Sequence, residues 1–189
     1  MIFHSTQLAF REVLEALSFP GKINLVDECP YDMSPLISQT GLVCMTLLDS
    51  EVTFHVSDDN NEITKTLHAY TGSHTIEASK ADFIILPLSS SMGVILNKLE
   101  QANIGDLVRP HKSATIIFEV ESLQSGFKYD LKGPGIKGTN FLKCTVQPEI
   151  LKKRNEINKE YPLGIDMIFI DLQGNVVGLP RTTQLTEVI

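Results

Sequence analysis

The sequence predicts a single mixed α/β domain over residues 1–189, in which helices pack in layers on a sheet that includes antiparallel hairpins. Three observations predict this fold class. The length of 189 residues, with 42% hydrophobic and 21% charged residues, is typical of one soluble globular domain. A continuous apolar run at 83–86 is typical of a strand that is covered on both faces, which requires helices on both sides of a sheet. Several other segments have apolar residues at helical spacing.

The first helix is predicted over residues 6–18. Its apolar face has the spacing i, i+3, i+4 and i+7 and consists of Phe10, Val13, Leu14 and Leu17. We expect Phe10, Val13 and Leu17 to pack on the sheet. Pro20 and Gly21 end this helix. Residues 22–26 are expected to form a strand or an extended arm.

Residues 42–48 and 52–56 are predicted to form a hairpin, because a polar turn at 49–51 separates two apolar runs. A short amphipathic helix is predicted over 60–69, with Asp58 and Asp59 as N-cap candidates. The apolar run at 81–88 is predicted to be the covered strand. The following helix is expected over 91–102.

The second half of the chain predicts more strands than helices. Segments 115–120 and 128–131 are expected to pair as a hairpin around Gly126, and 141–146 is expected to be another strand. A charged helix is predicted over 149–160. A terminal hairpin is expected to join 166–171 to 176–179 through a turn at 173–175.

The net charge of −7 is unevenly distributed. Residues 1–80 hold eleven acidic and four basic residues, a balance of −7, whereas residues 81–189 hold twelve of each. Residues 132–159 contain seven basic and two acidic residues, and we call them the basic segment. This segment is either a solvated helix face or a docking patch for an acidic partner or a phosphorylated ligand. No nucleic acid partner is expected, because nucleic-acid-binding proteins usually need a broader basic face.

The composition also predicts a location. No apolar run reaches the roughly 18–20 residues that span a bilayer, so no membrane partner is expected. The first ten residues lack the pattern of a signal peptide. The cysteines at 29, 44 and 144 are odd in number and form no C-x-x-C pair, which is typical of buried thiols in a reducing compartment. We therefore expect a cytoplasmic protein.

Residues 133–138 match the spacing G-x-G-x-x-G of dinucleotide-binding turns. The match is weak, because a strand-like run follows it instead of a helix, and Pro134 lacks the N–H that a phosphate-binding turn needs. A structural glycine turn explains the segment better. The alternative is an anion site formed by the N–H groups of Gly135 and Gly138 together with Lys137.

The segment Leu-Pro-Arg-Thr-Thr at 179–183 is the second candidate site. An arginine followed by two hydroxyls suits a phosphate or carboxylate, because the guanidinium donates two parallel hydrogen bonds and the hydroxyls add two donors. The structural alternative is an ion pair of Arg181 with Asp166 across the terminal hairpin.

Composition and spacing show no catalytic set. The five histidines have no zinc-binding spacing, so no metal site is expected. Ser89, Ser90 and Ser91 lack the G-x-S-x-G pattern of a nucleophile elbow and are interpreted as a loop and helix N-cap. No lysine is singled out as a Schiff-base residue.

Three segments in this order resemble the PhnH family of the bacterial carbon–phosphorus lyase system. The first, Phe-Arg at 10–11 with Ala-Leu-Ser-Phe-Pro-Gly at 16–21, is similar to the family's F-R … A-M-S-x-P-G opening. The second segment, 131–136, is similar to the family's L-x-G-P-G-I turn. The third segment, 162–166 with 180–183, resembles the family's P-x-G-x-D … P-R-T-T ending. The candidate anion-binding or family-motif residues are Arg11, Ser18, Pro20, Gly21, Gly133, Gly135, Lys137, Asp166, Pro180, Arg181, Thr182 and Thr183.

The resemblance implies a cytoplasmic subunit of the machinery that converts alkylphosphonates to phosphate. In that family, PhnH works with the G, I and L proteins to displace adenine from ATP by a phosphonate, which forms a ribose 1-alkylphosphonate 5-triphosphate, and the J subunit breaks the C–P bond. The resemblance also implies a three-layer α/β/α fold similar to the pyridoxal-phosphate-dependent transferases, without that or any other cofactor. A homodimer that docks into the larger assembly is expected.

Two functions remain open from the sequence. The first is a non-catalytic structural subunit, which is favoured because no acid/base or nucleophile set is visible. The second is a direct participant in the ribosyl transfer. In that case Arg181, Thr182 and Thr183, with Lys137, would bind oxygens of ATP or the phosphonate.

Overall fold

The computed structural model describes residues 2–57 and 60–188, which contain five α-helices and two β-sheets. The helices are α1 (Ile2–Ser18), α2 (Ser38–Leu47), α3 (Asn61–Thr71), α4 (Met92–Gln101) and α5 (Pro148–Ile157). The strands are β1 (Asn24–Leu25), β2 (Thr53–Val56), β3 (His74–Thr75), β4 (Phe83–Leu86), β5 (Thr115–Val120), β6 (Phe127–Lys132), β7 (Asn140–Cys144), β8 (Asp166–Asp171), β9 (Asn175–Leu179) and β10 (Gln184–Glu187).

The larger sheet has seven strands in the order β1-β9-β8-β5-β4-β2-β3, and it is mixed. The pairs β2–β3, β2–β4, β4–β5 and β5–β8 are parallel, whereas β9 is antiparallel to both β8 and β1. The predicted terminal hairpin is confirmed, with Met167 opposite Leu179. The smaller sheet is antiparallel, in the order β10-β6-β7.

Alternate residues of the central strands enter two hydrophobic cores on opposite faces of the larger sheet. Ile85 and Ile117 pack into a core with α1, α2 and α3. Their neighbours Ile84 and Ile116 pack into a second core with α4, α5 and the smaller sheet. Both faces of β4 are therefore covered, as the apolar run at 83–86 predicts. The α/β class with a mixed sheet is confirmed.

The buried face of α1 differs from the prediction. The helix buries Ala9, Val13 and Ala16, whereas Phe10 is 50% exposed. A Cβ placed on Gly178 of β9 would lie 2.6 Å from the α1 backbone. Because the helix lies so close to the strand, only small side chains fit between them, and Phe10 points away from the sheet. The expected docking of Phe10 is wrong, and that of Val13 is confirmed.

The hairpin predicted from 42–48 and 52–56 is also wrong. Residues 42–47 belong to the helix α2, in which consecutive residues from Thr40 to Cys44 are buried. The helix contacts both α1 and α3. A continuous apolar run fits a buried helix as well as a buried strand, and periodicity does not separate the two. Segment 52–56 contains β2, which pairs with β4 in parallel.

A third correction concerns the expected hairpin around Gly126. Both of its segments are strands, but β5 lies in the larger sheet and β6 in the smaller one. The helices α3, α4 and α5 are confirmed. The N-cap of α3 is Asn60, whose side chain accepts from two backbone N–H groups, while Asp58 and Asp59 lie outside the described residues. The sequence pattern does not predict β10.

The composition bears on two features, the absence of a bilayer-spanning segment in the sequence and the state of the cysteines. No helix of the described chain combines the length and apolar character needed to cross a bilayer. The cysteines are free and buried, as predicted, and burial raises the pKa of the Cys144 thiol to about 11.

Candidate functional site

The three sequence motifs meet at one place in the fold, although they lie far apart in the chain. Gly133 lies against the Pro-Arg-Thr-Thr segment, where a Cβ would come within 2.8 Å of the carbonyl oxygen of Thr182. Gly135 lies against the end of α1, where a Cβ would overlap the carbonyl oxygen of Ser18. The Gly-Pro-Gly turn therefore connects the first motif to the last one.

The Gly-Pro-Gly turn has the geometry of a structural turn. The N–H of Ile136 donates to the carbonyl of Gly133 over 3.2 Å, and Gly135 has φ +80°. Proline at the second position and a positive φ at the third are typical of a type II turn. The strand β7 follows it, so the helix of a dinucleotide-binding turn is missing from this place. Lys137 is exposed and has no hydrogen bond or ion pair within the described residues.

The Arg181 guanidinium is held by other groups of the chain itself. Its Nε and Nη2 donate to the two carboxylate oxygens of Asp166, and Nη1 donates to the Pro110 carbonyl over 2.9 Å. The backbone N–H of Arg181 donates to the same carboxylate over 2.6 Å. The side chains of Arg181 and Asp166 are only 16% and 24% exposed. Of the two roles predicted for Arg181, the structure contains the ion pair with Asp166.

A buried cation, Arg154, lies beneath the same loop, and the sequence does not single it out. Its side chain comes from α5 and is 0% exposed. Nη1 donates to the Thr183 carbonyl over 2.7 Å, and Nη2 donates to the carbonyls of Pro180 and Leu179. Burial lowers the pKa of Arg154 to about 10, although the negative charge of Asp166 opposes this shift. The loop carbonyls are therefore anchored to a charge in the interior.

The basic segment is divided between the interior and the surface. Arg154 is buried, and Lys153 forms an ion pair with Glu100 of α4 over 2.5 Å. Lys132 and Lys143 are exposed on the smaller sheet. A single solvated helix face does not describe this segment.

Two open cavities flank the Pro-Arg-Thr-Thr loop and share Arg181. The larger, about 340 Å³, is lined by Lys159, Thr183 and two asparagines, without a carboxylate among its lining residues. The smaller, about 320 Å³, is lined by His111 and Asp166 among others. The buried Thr183 Oγ1 has no hydrogen-bond partner within residues 2–57 and 60–188. Lys159 is therefore the cation without an ion pair, within the described residues, among those that line the larger cavity, since Arg181 is paired with Asp166.

The remaining motif residues lie at the end of α1 or outside the cluster. The Ser18 hydroxyl donates to the Leu14 carbonyl over 2.7 Å. The Pro20 carbonyl accepts from the side chain of Asn140 over 3.1 Å. A Cβ on Gly21 would lie 2.9 Å from the same side chain. These contacts fix the chain after α1 against the smaller sheet.

Arg11 lies outside the motif cluster. It is exposed on α1, and its side chain forms no hydrogen bond or ion pair with another described residue. The family motif in the first segment therefore contains residues at two different places, the surface of α1 and the end of that helix.

A buried carboxyl group, Glu119, lies at the end of β5 and was missed by the sequence reasoning. Its carboxylate accepts from the backbone N–H groups of Ile37, over 2.6 Å, and Leu88, over 2.9 Å. It therefore joins the start of α2 to the segment after β4. Burial raises the pKa of Glu119, and these hydrogen bonds oppose the shift. The sequence signal for Glu119 is a single charged residue within an otherwise apolar strand.

Comparison with protein-family models matches residues 2–186 to the family described as bacterial phosphonate metabolism protein (PhnH). The chain belongs to the PhnH family. The chain is 30% identical over 182 residues to HtxG of Stutzerimonas stutzeri, a putative C-P lyase subunit protein, covering 95% of this chain and 85% of HtxG. It is 25% identical over 182 residues to the PhnH subunit of alpha-D-ribose 1-methylphosphonate 5-triphosphate synthase from Rhizobium meliloti (strain 1021), covering 95% and 89%.

The PhnH family membership confirms the resemblance drawn from the three motifs. In this PhnH-family chain, those motifs form one structural cluster in which the two glycines of the turn allow close backbone contact. The same cluster borders the larger of the two loop cavities. The turn thereby contacts both the end of α1 and the Pro-Arg-Thr-Thr segment.

Proposed function

We propose that this PhnH-family chain is a non-catalytic subunit of the carbon–phosphorus lyase system, required to form ribose 1-alkylphosphonate 5-triphosphate from ATP and an alkylphosphonate. The observation that carries the proposal is the engagement of Arg181 by Asp166 and Pro110. A paired guanidinium offers no free bidentate donor for a triphosphate. The names of two relatives as subunits of such systems, each matched over most of its length, support the proposal.

The proposal includes the partners and the compartment. We expect subunits of the G, I, J and L types as partners, a homodimer of the isolated chain, and a cytoplasmic location. We also expect the α/β fold to be similar to that of the pyridoxal-phosphate-dependent transferases without binding their cofactor.

Growth on a phosphonate tests the role in this system. Deletion of the gene is expected to abolish growth on methylphosphonate as sole phosphorus source and to leave growth on inorganic phosphate unchanged. A plasmid copy of the gene restores growth on methylphosphonate. Normal growth of the deletion strain on methylphosphonate would contradict the proposal.

One observation favours a second candidate, direct participation in the ribosyl transfer by Arg181, Thr182 and Thr183. Lys159 and Thr183 line the larger loop cavity, and none of its lining residues is acidic. Such a cavity would attract phosphate or phosphonate oxygens.

Isothermal titration of the purified chain with ATP and methylphosphonate separates the two candidates. The non-catalytic role predicts no binding heat for either compound. Heat that is lost in Lys159→Ala and kept in Lys112→Ala, an exposed lysine outside this cavity, would favour the second candidate. Lys159 is exposed, so its replacement leaves the Arg181–Asp166 pair intact.

A further inference from the structure

The outer face of the smaller sheet carries three lysines that form no ion pair within the described part of the chain. Lys128 of β6 lies directly opposite Lys143 of β7, and Lys132 lies on the same face of β6. No carboxylate of residues 2–57 or 60–188 forms an ion pair with these three lysines. Like charges directly opposite each other on neighbouring strands repel. This arrangement becomes favourable when a negative surface covers it.

An exposed aromatic side chain lies among these lysines. Phe141 of β7 is 56% exposed, and the Nζ of Lys128 lies 5.1 Å from the centroid of its ring. The register places Phe141 opposite Asp130, which is the acidic residue of this face. Aromatic residues are enriched in protein interfaces, where they bury a large area with little loss of side-chain entropy. We call Lys128, Lys132, Lys143 and Phe141 the basic face.

An apolar groove continues the basic face at the edge of the sheet. It has a volume of about 410 Å³ and runs between β7 and the chain that follows α1. Ile23, Leu123 and Leu142 line it, and Lys143 and Phe141 also belong to its wall. β7 is an edge strand, since β6 is its one partner among the described strands. An apolar side chain and neighbouring carboxylates from one ligand could therefore bind at the same time.

We propose that the basic face is a docking surface for an acidic segment of another protein subunit. The carboxylates of that segment bind the three lysines, and one apolar side chain enters the groove beside Phe141. The proposal rests on the proposed function, because a subunit of an assembly requires such partners. Charge complementarity gives such a contact its specificity and its rate of association.

A second copy of this chain is a poorer occupant. The excess of negative charge lies in residues 1–80, which do not include the basic face. A contact between the acidic part of one copy and the basic face of the next is heterologous, because it joins two different surfaces. The last copy in such a chain of contacts keeps a free basic face unless the copies close into a ring. A different, acidic chain covers the face without this requirement.

Co-purification with the G-, I- and J-type subunits tests the docking surface. The four proteins are expressed together and isolated through a tag on the I-type subunit, and the amount of this chain per I-type subunit is measured at increasing NaCl concentration. The test variant is Lys128→Glu with Lys143→Glu. The control is Lys65→Glu with Lys112→Glu, which changes the total charge equally at two exposed lysines elsewhere.

We expect the wild type and the control to be retained, and the test variant to be reduced about tenfold or more. Salt is expected to release the wild type. Equal retention of both variants would overturn the docking surface alone, whereas absence of the wild type from the purified assembly would overturn the proposed function as well. Equal loss of both variants would show a dependence on total charge and would also overturn the docking surface.

Hydrogen exchange of the wild-type assembly gives a second test that needs no substitution. Amides of 127–132 and 140–144 are expected to exchange more slowly in the assembly than in the isolated chain. Slower exchange confined to other segments would overturn the proposal. Protection that appears in the isolated chain as its concentration rises would show that a second copy is the occupant.

Discussion

Replacement of Arg181 by methionine removes the guanidinium and keeps most of the apolar stem. The variant leaves the Asp166 carboxylate with the backbone N–H of residue 181 as its remaining hydrogen-bond donor among the described residues. It also removes the shorter of the two hydrogen bonds that the Pro110 carbonyl accepts, and leaves the bond of 3.4 Å from the Ser113 N–H. The Asp166 carboxylate and the Pro110 carbonyl then accept fewer hydrogen bonds in a mostly buried region.

The expected cost follows from the burial of the pair. Removal of one partner from a buried ion pair costs about 3–5 kcal/mol, whereas an exposed pair contributes about 0–1 kcal/mol. The side chains of Arg181 and Asp166 are 16% and 24% exposed. We therefore expect the free energy of unfolding to fall by about 2–4 kcal/mol. In a chain of this size, a loss of about 2–4 kcal/mol lowers Tm by about 4–16 °C.

Urea denaturation followed by circular dichroism measures this effect. Arg109→Met is the matched control, because Arg109 pairs with Asp106 over 3.2 Å and these side chains are 65% and 49% exposed. The control is expected to cost less than about 1 kcal/mol. Equal losses in the two variants would refute the structural role of Arg181. Arg181→Met combined with Asp166→Asn should cost less than the two single changes together.

Three further predictions concern other parts of the fold. Val13→Ala should lower the free energy of unfolding by about 2 kcal/mol and Phe10→Ala by less than about 1 kcal/mol, because Val13 is 3% and Phe10 50% exposed; equal urea midpoints would contradict this. Gly135→Ala should cost about 1–3 kcal/mol, because its φ is +80° and a Cβ would overlap Ser18, whereas Gly93→Ala in α4, where a Cβ has no close neighbour, should stabilise the chain by about 0.5–1 kcal/mol; thermal unfolding of both variants checks the opposite signs. Above the ordinary pKa of 4.5, the raised pKa of Glu119 makes the native state keep a proton that the unfolded state loses, so stability falls as pH rises toward the native pKa. Glu119→Gln removes this pH dependence, so the unfolding free energy of the variant relative to the wild type should rise as the pH increases from 4.5 toward the native pKa of Glu119. A difference that stays constant with pH would contradict this prediction.

Local sequence patterns predicted most elements but not all of their partners. The apolar spacing at 91–102 was sufficient to predict α4, and the turn at 173–175 was sufficient to predict the hairpin of β8 and β9. Neighbouring residues determine both features. The segment at 42–47 was misassigned because α2 is buried on all sides, which removes the periodicity that distinguishes a helix. One of the two partners of β5 is β8, which lies about fifty residues further along the chain, and no local signal specifies that pairing.

The candidate site was predicted in its parts and not in its arrangement. The sequence singled out the Gly-Pro-Gly turn and offered the Asp166 pair as one role for Arg181. It could not show that Gly135 touches the end of α1, because that contact depends on the packing of the whole domain. Arg154 was missed because its neighbours Lys152 and Lys153 are typical of a surface helix. Glu119, by contrast, had a local signal in its apolar strand.

The release of adenine from ATP in the presence of methylphosphonate tests the central claim most directly. The assay compares purified subunits of the G, I and L types with and without this chain, and it includes the chain alone. We predict rapid release only when the chain and the other subunits are mixed, and none from the chain alone. Release by the isolated chain, or equal release by the other subunits without it, would contradict a required, non-catalytic subunit.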